Sequence, residues 1–186
     1  MTENNNTELC KATFGCGCFW CTEALFKKID GVEKVEPGYS GGGIVPPSYE
    51  RVCSGDTEYA EVIQITYNPK VVSFIDLLMI FWETHDPTTV DRQGPDVGRQ
   101  YRSVIFYHTE EQKREAEQLR NAIDDRQMFE NPIVTEILPL DMFHQSEDYH
   151  HNYFELNPNQ PYCSTYIAPK LRKNLIKIAD YLKQNQ

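Results

Sequence analysis

The sequence predicts a two-layer α+β domain in which a mainly antiparallel sheet packs against helices. Three observations lead there. Short β-rich runs alternate with helical stretches along the chain, so both element types must share a core. Successive strands are irregularly spaced, hairpin-like as often as crossover-like, which disfavours a doubly wound parallel sheet. Finally, 186 residues with 40% hydrophobic content suffice for one domain with a substantial core, and no internal repeat is visible.

Residues 1–9 form a polar, acidic opening expected to be a disordered tail, and one domain is expected over 10–186. Lys11-Ala12-Thr13-Phe14 reads as a short strand; after it Leu25, Phe26 and Ile29 fall at helical spacing and Gly31 stops the helix. Val32 to Glu36 alternates as a strand and runs into Pro37-Gly38-Tyr39-Ser40-Gly41-Gly42-Gly43 and Pro46-Pro47, which predict a loop. Glu61 to Tyr67 is a strand ended by Asn68-Pro69. Ser73 then caps a helix to about Glu83 that is apolar on most faces and is expected to pack on the sheet. Thr84 to Gln100 is a long polar run, the kind of connection that often carries function. Tyr101 to Tyr107 reads as a strand, Thr109 with Gln112 as a capping box for a charged helix to about Asp125, and Ile133 to Leu138 as another strand. A helix near Glu147 to Leu156, a turn-rich segment over 157–168 and a terminal helix over 169–184 complete the chain. The terminal helix has Leu171, Leu175, Ile178 and Leu182 on one stripe.

The formal net charge is −10 with no basic face, which argues against nucleic acid or an anionic membrane as a partner. Neither a signal-peptide core nor a membrane-spanning apolar segment is apparent, so the expected location is the cytoplasm. There the six cysteines, Cys10, Cys16, Cys18, Cys21, Cys53 and Cys163, are better read as reactive or incidental than as structural disulfides.

The chemistry concentrates in Phe14-Gly15-Cys16-Gly17-Cys18-Phe19-Trp20-Cys21-Thr22-Glu23, at a strand-to-helix junction. A cysteine there meets unpaired backbone N–H groups and the positive end of a helix dipole, which favour the thiolate and are expected to lower its pKa. Cys18 is best placed, with Gly17 before it permitting a tight turn. Two other readings compete. Cys16-x-Cys18-x-x-Cys21 has a spacing that could ligate zinc or iron–sulfur, but no second cysteine pair completes the set. Cys18-Phe19-Trp20-Cys21 could be a thioredoxin-like redox pair, but the βαβ context is not recognisable.

Eight motifs then coincide in order: Gly17-Cys18-Phe19-Trp20-Cys21-Thr22-Glu23, Gly38-Tyr39-Ser40-Gly41-Gly42, Ser54-Gly55-Asp56-Thr57-Glu58-Tyr59-Ala60-Glu61, His85-Asp86-Pro87-Thr88-Thr89, Arg92-Gln93-Gly94-Pro95-Asp96-Val97-Gly98, Gln100-Tyr101-Arg102-Ser103, Glu147-Asp148-Tyr149-His150 and Gln160-Pro161-Tyr162-Cys163. Over about residues 11–172 the chain resembles the A-type peptide methionine sulfoxide reductases. It departs from their pattern at Cys16, where an uncharged residue such as glycine is usual, at Tyr59 for histidine and at Pro95 for asparagine.

The resemblance implies reduction of the S epimer of methionine sulfoxide, free or in proteins, on a two-layer α+β fold related to the ferredoxin-like sandwich. Carried over by position, Cys18 attacks the sulfoxide sulfur, Glu61 protonates its oxygen, and Tyr39 and Tyr101 hydrogen-bond that oxygen. Phe19 and Trp20 hold the methyl group, while Asp96 and His150 match polar positions around the site. It further implies no bound cofactor, a disulfide formed after a sulfenic acid on Cys18, and thioredoxin, or dithiothreitol in vitro, as reductant, in a monomer. The chemistry agrees independently: a sulfoxide is a poor electrophile until its oxygen is protonated or strongly hydrogen-bonded. Three thiols compete to resolve the sulfenic acid, and Cys163 is expected to form the first disulfide with Cys18, with Cys21 as the alternative. Cys21 lies one helical turn from Cys18, Cys163 lies in a bendable tail where the resemblance also places a resolving cysteine, and Cys53 ranks behind both.

Overall fold

The computed structural model describes residues 8–184, with side chains to 179. Most of the tail expected over 1–9 therefore lies outside the described residues. In chain order the elements are β1 Cys10–Cys16, α1 Phe19–Phe26, β2 Val32–Ser40, α2 Tyr49–Cys53, β3 Ala60–Tyr67, α3 Phe74–Thr84, β4 Arg92–Gln93 and β5 Asp96–Val97. A 3-10 turn over Arg99–Tyr101 leads into β6 Ser103–Tyr107, then α4 Glu110–Asp125, β7 Glu136–Pro139, β8 Phe143–Gln145, α5 Tyr153–Leu156 and α6 Ala168–Gln184.

Six strands form one sheet in the order β7-β6-β1-β3-β2-β8, and β4 and β5 make a separate hairpin. All neighbours in the large sheet are antiparallel except β6 and β7. The α+β reading holds, and its physical reason is visible at the centre. β1 and β3 carry Phe14, Ile63 and Ile65 into a core completed by Leu25, Phe26, Leu77, Leu78, Ile80 and Phe81 of the helices. Phe14 touches the rings of Phe26, Phe74 and Phe81 at centroid distances of 5.9, 6.0 and 5.1 Å. Ser73 opens α3 with a reciprocal capping box involving Asp76. Leu171, Leu175 and Ile178 of α6 pack on the same core, while Leu182 lies outside the described side chains.

Several expectations need correction. The loop expected from Pro37 begins only at Gly41, because Pro37, Gly38, Tyr39 and Ser40 belong to β2. Gly38 is there for close approach: a side-chain carbon would come within 2.4 Å of the His144 carbonyl oxygen across the β2–β8 pair. The strand expected to open at Tyr101 starts two residues later, and the one expected from Ile133 starts at Glu136. The helix expected over 147–156 is two short pieces, a 3-10 turn at Asp148–His150 and α5, divided by Asn152 in the left-handed region at φ 55°. The turn-rich segment is irregular only to Gln160; from Pro161 the chain is helical, with a π-helical turn over Cys163–Ile167 continuing into α6. That turn packs inward, with Cys163 and Ile167 fully buried, so local turn composition yields to burial.

Candidate active site

Cys18 ends the β1 connection and serves as the N-cap of α1. Gly17 makes this possible at φ 92°, a conformation that glycine tolerates, with the Gln93 side chain pressed against it. Gln93 is fixed in turn: its amide oxygen accepts from the Asp86 N–H at 3.1 Å and its amide nitrogen donates to the Asp86 carbonyl at 2.9 Å.

Cys18 is 7% exposed and opens onto a cleft of about 190 Å³ that it shares with Phe19, Trp20, Tyr49, Glu61, Asp96, Tyr101 and Tyr162. Glu61, 2% exposed, accepts a hydrogen bond from the Phe19 N–H at 3.0 Å, which binds the carboxyl to the residue after the thiol. Burial pushes its pKa well above the usual carboxylate range, and the Cys18 sulfur adds to the rise, so the carboxyl retains its proton at higher pH than a free glutamate.

The expected depression of the Cys18 pKa is overturned. A hydrogen bond with the Cys21 side chain, followed by burial, holds the thiol well above its ordinary range. The backbone N–H groups of Trp20 and Cys21 pull the other way, as the helix start demands, but they are outweighed. Both the sulfur and the carboxyl therefore hold their protons to higher pH than the free groups do.

Tyr101 stands at the end of the 3-10 turn, and burial raises its pKa, so it remains a hydroxyl donor. Asp96 accepts from the Tyr162 hydroxyl at 2.6 Å. Two expected site residues do not line the cleft. Tyr39 sits opposite Glu61 in the β2–β3 register, but it is buried and its hydroxyl donates to Glu147 at 3.0 Å. His150 lies behind the aromatic wall, accepting at Nδ1 from the Trp20 indole N–H at 3.0 Å. Burial pushes this imidazole down to about 4, so it is neutral, with its remaining proton on Nε2. Trp20 is held from another side by stacking on Tyr153 at 3.8 Å.

Of the other thiols, Cys21 is half-buried and in hydrogen-bond contact with Cys18. Cys163 is fully buried, near enough for the Cys18 sulfur to raise its pKa, although burial is the larger cause. Cys53 is exposed and hydrogen-bonded to Tyr49. Cys16 turns away to Thr22 at 3.5 Å, and among the described residues no group of three or more His, Cys, Asp or Glu is placed to hold a metal. Sequence reasoning missed Tyr49, Tyr162 and Glu147. Glu147 also accepts the Tyr49 N–H at 2.8 Å, so it organises two tyrosines at once. Tyr162 carried the clearest signal, an aromatic hydroxyl directly before a cysteine.

A sulfur at the floor of an acid-bearing cleft can take an oxygen atom from a substrate, and a neighbouring thiol can remove it. That places the molecule among the thiol-dependent oxidoreductases. The family model described as peptide methionine sulfoxide reductase matches residues 10–182. A protein of Sulfolobus acidocaldarius described as peptide methionine sulfoxide reductase MsrA is 50% identical over 169 residues, 91% of this chain and 95% of that one. Among solved structures, Mxr1 of Saccharomyces cerevisiae in reduced form superposes with a TM-score of 0.78 at 37% identity, covering 86% of this chain and 91% of that one. Mxr1 in complex with Trx2 gives 0.56 at 25% identity, covering 82% and 90%. The chain belongs to the peptide methionine sulfoxide reductase family and is an enzyme of methionine sulfoxide reduction. Among the described residues, no helix is long and apolar enough to cross a membrane.

Proposed function

We propose that this cleft reduces the S epimer of methionine sulfoxide, free or in cytoplasmic proteins, through a sulfenic acid on Cys18. The observation that carries the reading is the buried Glu61 carboxyl, bonded to the Phe19 amide beside the nucleophile. Phe19 and Trp20 offer apolar surface for the methyl group, and Asp96 with Tyr162 forms a polar rim for the rest of the substrate. As Cys18 Sγ bonds to the sulfoxide sulfur, Glu61 delivers its proton to the sulfoxide oxygen, Tyr101 donates a hydrogen bond to that oxygen, and the thiol proton of Cys18 returns to Glu61. Transfer of the resulting hydroxyl to Cys18 releases methionine and leaves the sulfenic acid. Tyr39, engaged by Glu147, serves in this reading as the wall behind Glu61 unless substrate draws its hydroxyl forward.

A second thiol then displaces water to form a disulfide, and a dithiol reductant reopens it. We place Cys21 ahead of Cys163 here, the reverse of the order that the tail's composition suggests. It lies one helical turn from Cys18 and is partly open to solvent, whereas Cys163 is sealed in a helical turn. The solved complex of Mxr1 with Trx2 supports thioredoxin as the physiological reductant.

The test is reduction of separated S and R sulfoxides of a blocked methionine with dithiothreitol. Conversion of the S epimer alone is expected; preference for the R epimer, or no reduction, overturns the reading. Peptide mapping after one equivalent of substrate then decides the resolver. A Cys18–Cys21 linkage is expected, and a Cys18–Cys163 linkage returns the role to the tail.

A further inference from the structure

Glu147 joins three groups behind the cleft wall. It precedes the 3-10 turn over Asp148–His150, and its carboxylate accepts the Tyr39 hydroxyl at 3.0 Å through Oε2 and the Tyr49 N–H at 2.8 Å through Oε1. The third group is the His150 imidazole, whose Nε2 stands 3.7 Å from the same Oε2, too far for a hydrogen bond. His150 is fully buried, enclosed by the rings of Phe19, Tyr49 and Tyr149 at centroid distances of 5.0, 4.4 and 4.1 Å. Its Nδ1 is taken by the Trp20 indole N–H, which leaves the proton on Nε2, and among the described residues that N–H has no hydrogen-bond partner.

A buried N–H without an acceptor is costly, and Glu147 Oε2, the carboxylate oxygen beside it, is held by Tyr39. The ligand-free arrangement thus satisfies one donor at the expense of another. Tyr39 also has another acceptor within its surroundings once substrate arrives. It pairs with Glu61 in the β2–β3 register and its ring packs on Phe19 at 5.7 Å, so two residues of the cleft flank it. Burial, then Glu147 and the Glu61 charge, push its pKa up, so the hydroxyl keeps its proton and can donate to a sulfoxide oxygen as well as to Glu147. The Glu147 carboxyl titrates below its ordinary range. Burial works against this, but the N–H groups of Tyr49 and of Glu147 itself, with the Tyr39 hydroxyl, outweigh it, so at neutral pH the group is an acceptor only.

We propose that Glu147 and His150 are positioning residues that exchange partners when substrate binds: Glu147 Oε2 gives up the Tyr39 hydroxyl to the sulfoxide oxygen and takes the His150 Nε2–H in its place. The inference rests on the reading of the cleft above and supplies the route by which Tyr39 reaches the oxygen. One hydrogen bond to Oε2 replaces another, the sulfoxide gains a donor, and the orphaned N–H is satisfied. Oε1 keeps the Tyr49 N–H throughout, so the start of α2 stays in place. The imidazole that closes on Glu147 is also bonded to Trp20 through Nδ1, so the apolar wall and the hydroxyl donor respond to the same event.

The experiment follows the His150 Nε2 proton by NMR with nitrogen-labelled histidine in Cys18→Ser, which holds a blocked methionine S-sulfoxide without reducing it. The resonance is expected to move downfield when the sulfoxide is added. Tyr39→Phe frees Oε2 permanently, so it is expected to show the downfield position with no substrate present. A resonance that stays put in either case overturns the exchange. Turnover gives the second readout, with His150→Asn chosen because its amide oxygen can replace Nδ1 as acceptor for Trp20 while the donor toward Glu147 is lost. Tyr39→Phe and His150→Asn are each expected to lower kcat/KM about ten-fold, chiefly through kcat, and the double variant to fall no further. Losses that multiply in the double variant show two independent roles and overturn the proposal. Failure of wild type to release methionine from the S-sulfoxide refutes the reading of the cleft itself. Release with an unmoved resonance leaves that reading standing and removes the exchange.

Discussion

The two halves of the cleft are built differently. Cys18 and Glu61 stand at the sheet, one just past the end of β1 and opening α1, the other the second residue of β3, and both are nearly sealed from solvent. The opposite wall is made of connections: Tyr49 from α2, Asp96 from the β4–β5 hairpin, Tyr101 from a 3-10 turn and Tyr162 from the turn before α6. Backbone ladders and the central core fix the first half. Single side-chain bonds such as Tyr162 to Asp96 hold the second. On the proposed reading, bond-making falls to Cys18 and Glu61 with Tyr101 donating to the oxygen, and recognition to the rest of the loop wall, where a loop can accommodate different peptides around one sulfoxide.

The largest expected effect is on the rigid half. Cys18→Ser should abolish release of methionine from the S-sulfoxide while circular dichroism and thermal unfolding stay close to wild type, since a hydroxyl is a far weaker nucleophile than a thiol. Reduction by this variant through another cysteine would break the comparison at its root. Glu61→Gln comes next, keeping the shape and losing the proton, with an expected fall in kcat/KM of about 10²–10⁴-fold. The pH profile gives the sign. Glu61 is an acid whose pKa is raised, so wild-type activity should decline as rising pH removes its proton, and Glu61→Gln should lack that limb. A variant within a few-fold of wild type would make Glu61 a structural residue.

On the loop side the effect should be smaller and fall on binding. Tyr162→Phe removes a donor to the Asp96 carboxylate, a bond of the charged kind worth about 1.5–3 kcal/mol. Solvent at the open rim replaces part of that, so KM should rise several-fold with kcat little changed. A loss in kcat as large as that of Glu61→Gln would show that Tyr162 takes part in bond-making and erase the distinction.

The same division explains what the sequence revealed. β1, β3 and α3 were legible because Phe14, Ile63, Ile65 and the apolar face of α3 bury in the periodic pattern that elements of their type impose. Cys18 was legible because strand, glycine and helix start meet in a few residues. The loop wall was legible only in part, since the resemblance pointed to Asp96 and Tyr101 but not to Tyr49 or Tyr162. Tyr49 and Tyr162 reach the cleft through turns whose conformations are set by distant partners, Glu147 for α2 and Asp96 for Tyr162. Gly38 looked like a loop residue and is a strand residue because β8 lies against it, a strand too short to announce itself. His150 resembled a cleft residue, and its motif gave no sign that its ring would sit behind Trp20.

His85 joins the two halves and gives the smallest expected effect on catalysis. Its Nδ1–H donates to the Phe81 carbonyl at 2.5 Å, and Nε2 accepts from Ser103 Oγ at 2.7 Å, with Thr135 Oγ1 a further 2.7 Å on. The chain runs from the end of α3, where the long polar connection begins, into β6. Protonation would set a second N–H against the Ser103 hydroxyl and add a cation in a buried place that Lys170 already opposes, so burial pushes the imidazole down to about 4. The unfolded chain binds this proton near the ordinary histidine value and the folded chain does not. Stability is therefore complete above about pH 6.5 and is lost progressively as pH falls toward 4, by at most about 3 kcal/mol from this residue. In urea unfolding of wild type and His85→Gln, the stability advantage of wild type should shrink between pH 7 and pH 4.5. Reduction of S-sulfoxide at neutral pH should change less in His85→Gln than in Tyr162→Phe. A pH-independent offset between the two proteins would place the acid sensitivity elsewhere, and a Glu61-sized loss of activity would mean that the sheet and the loop wall are mechanically one unit.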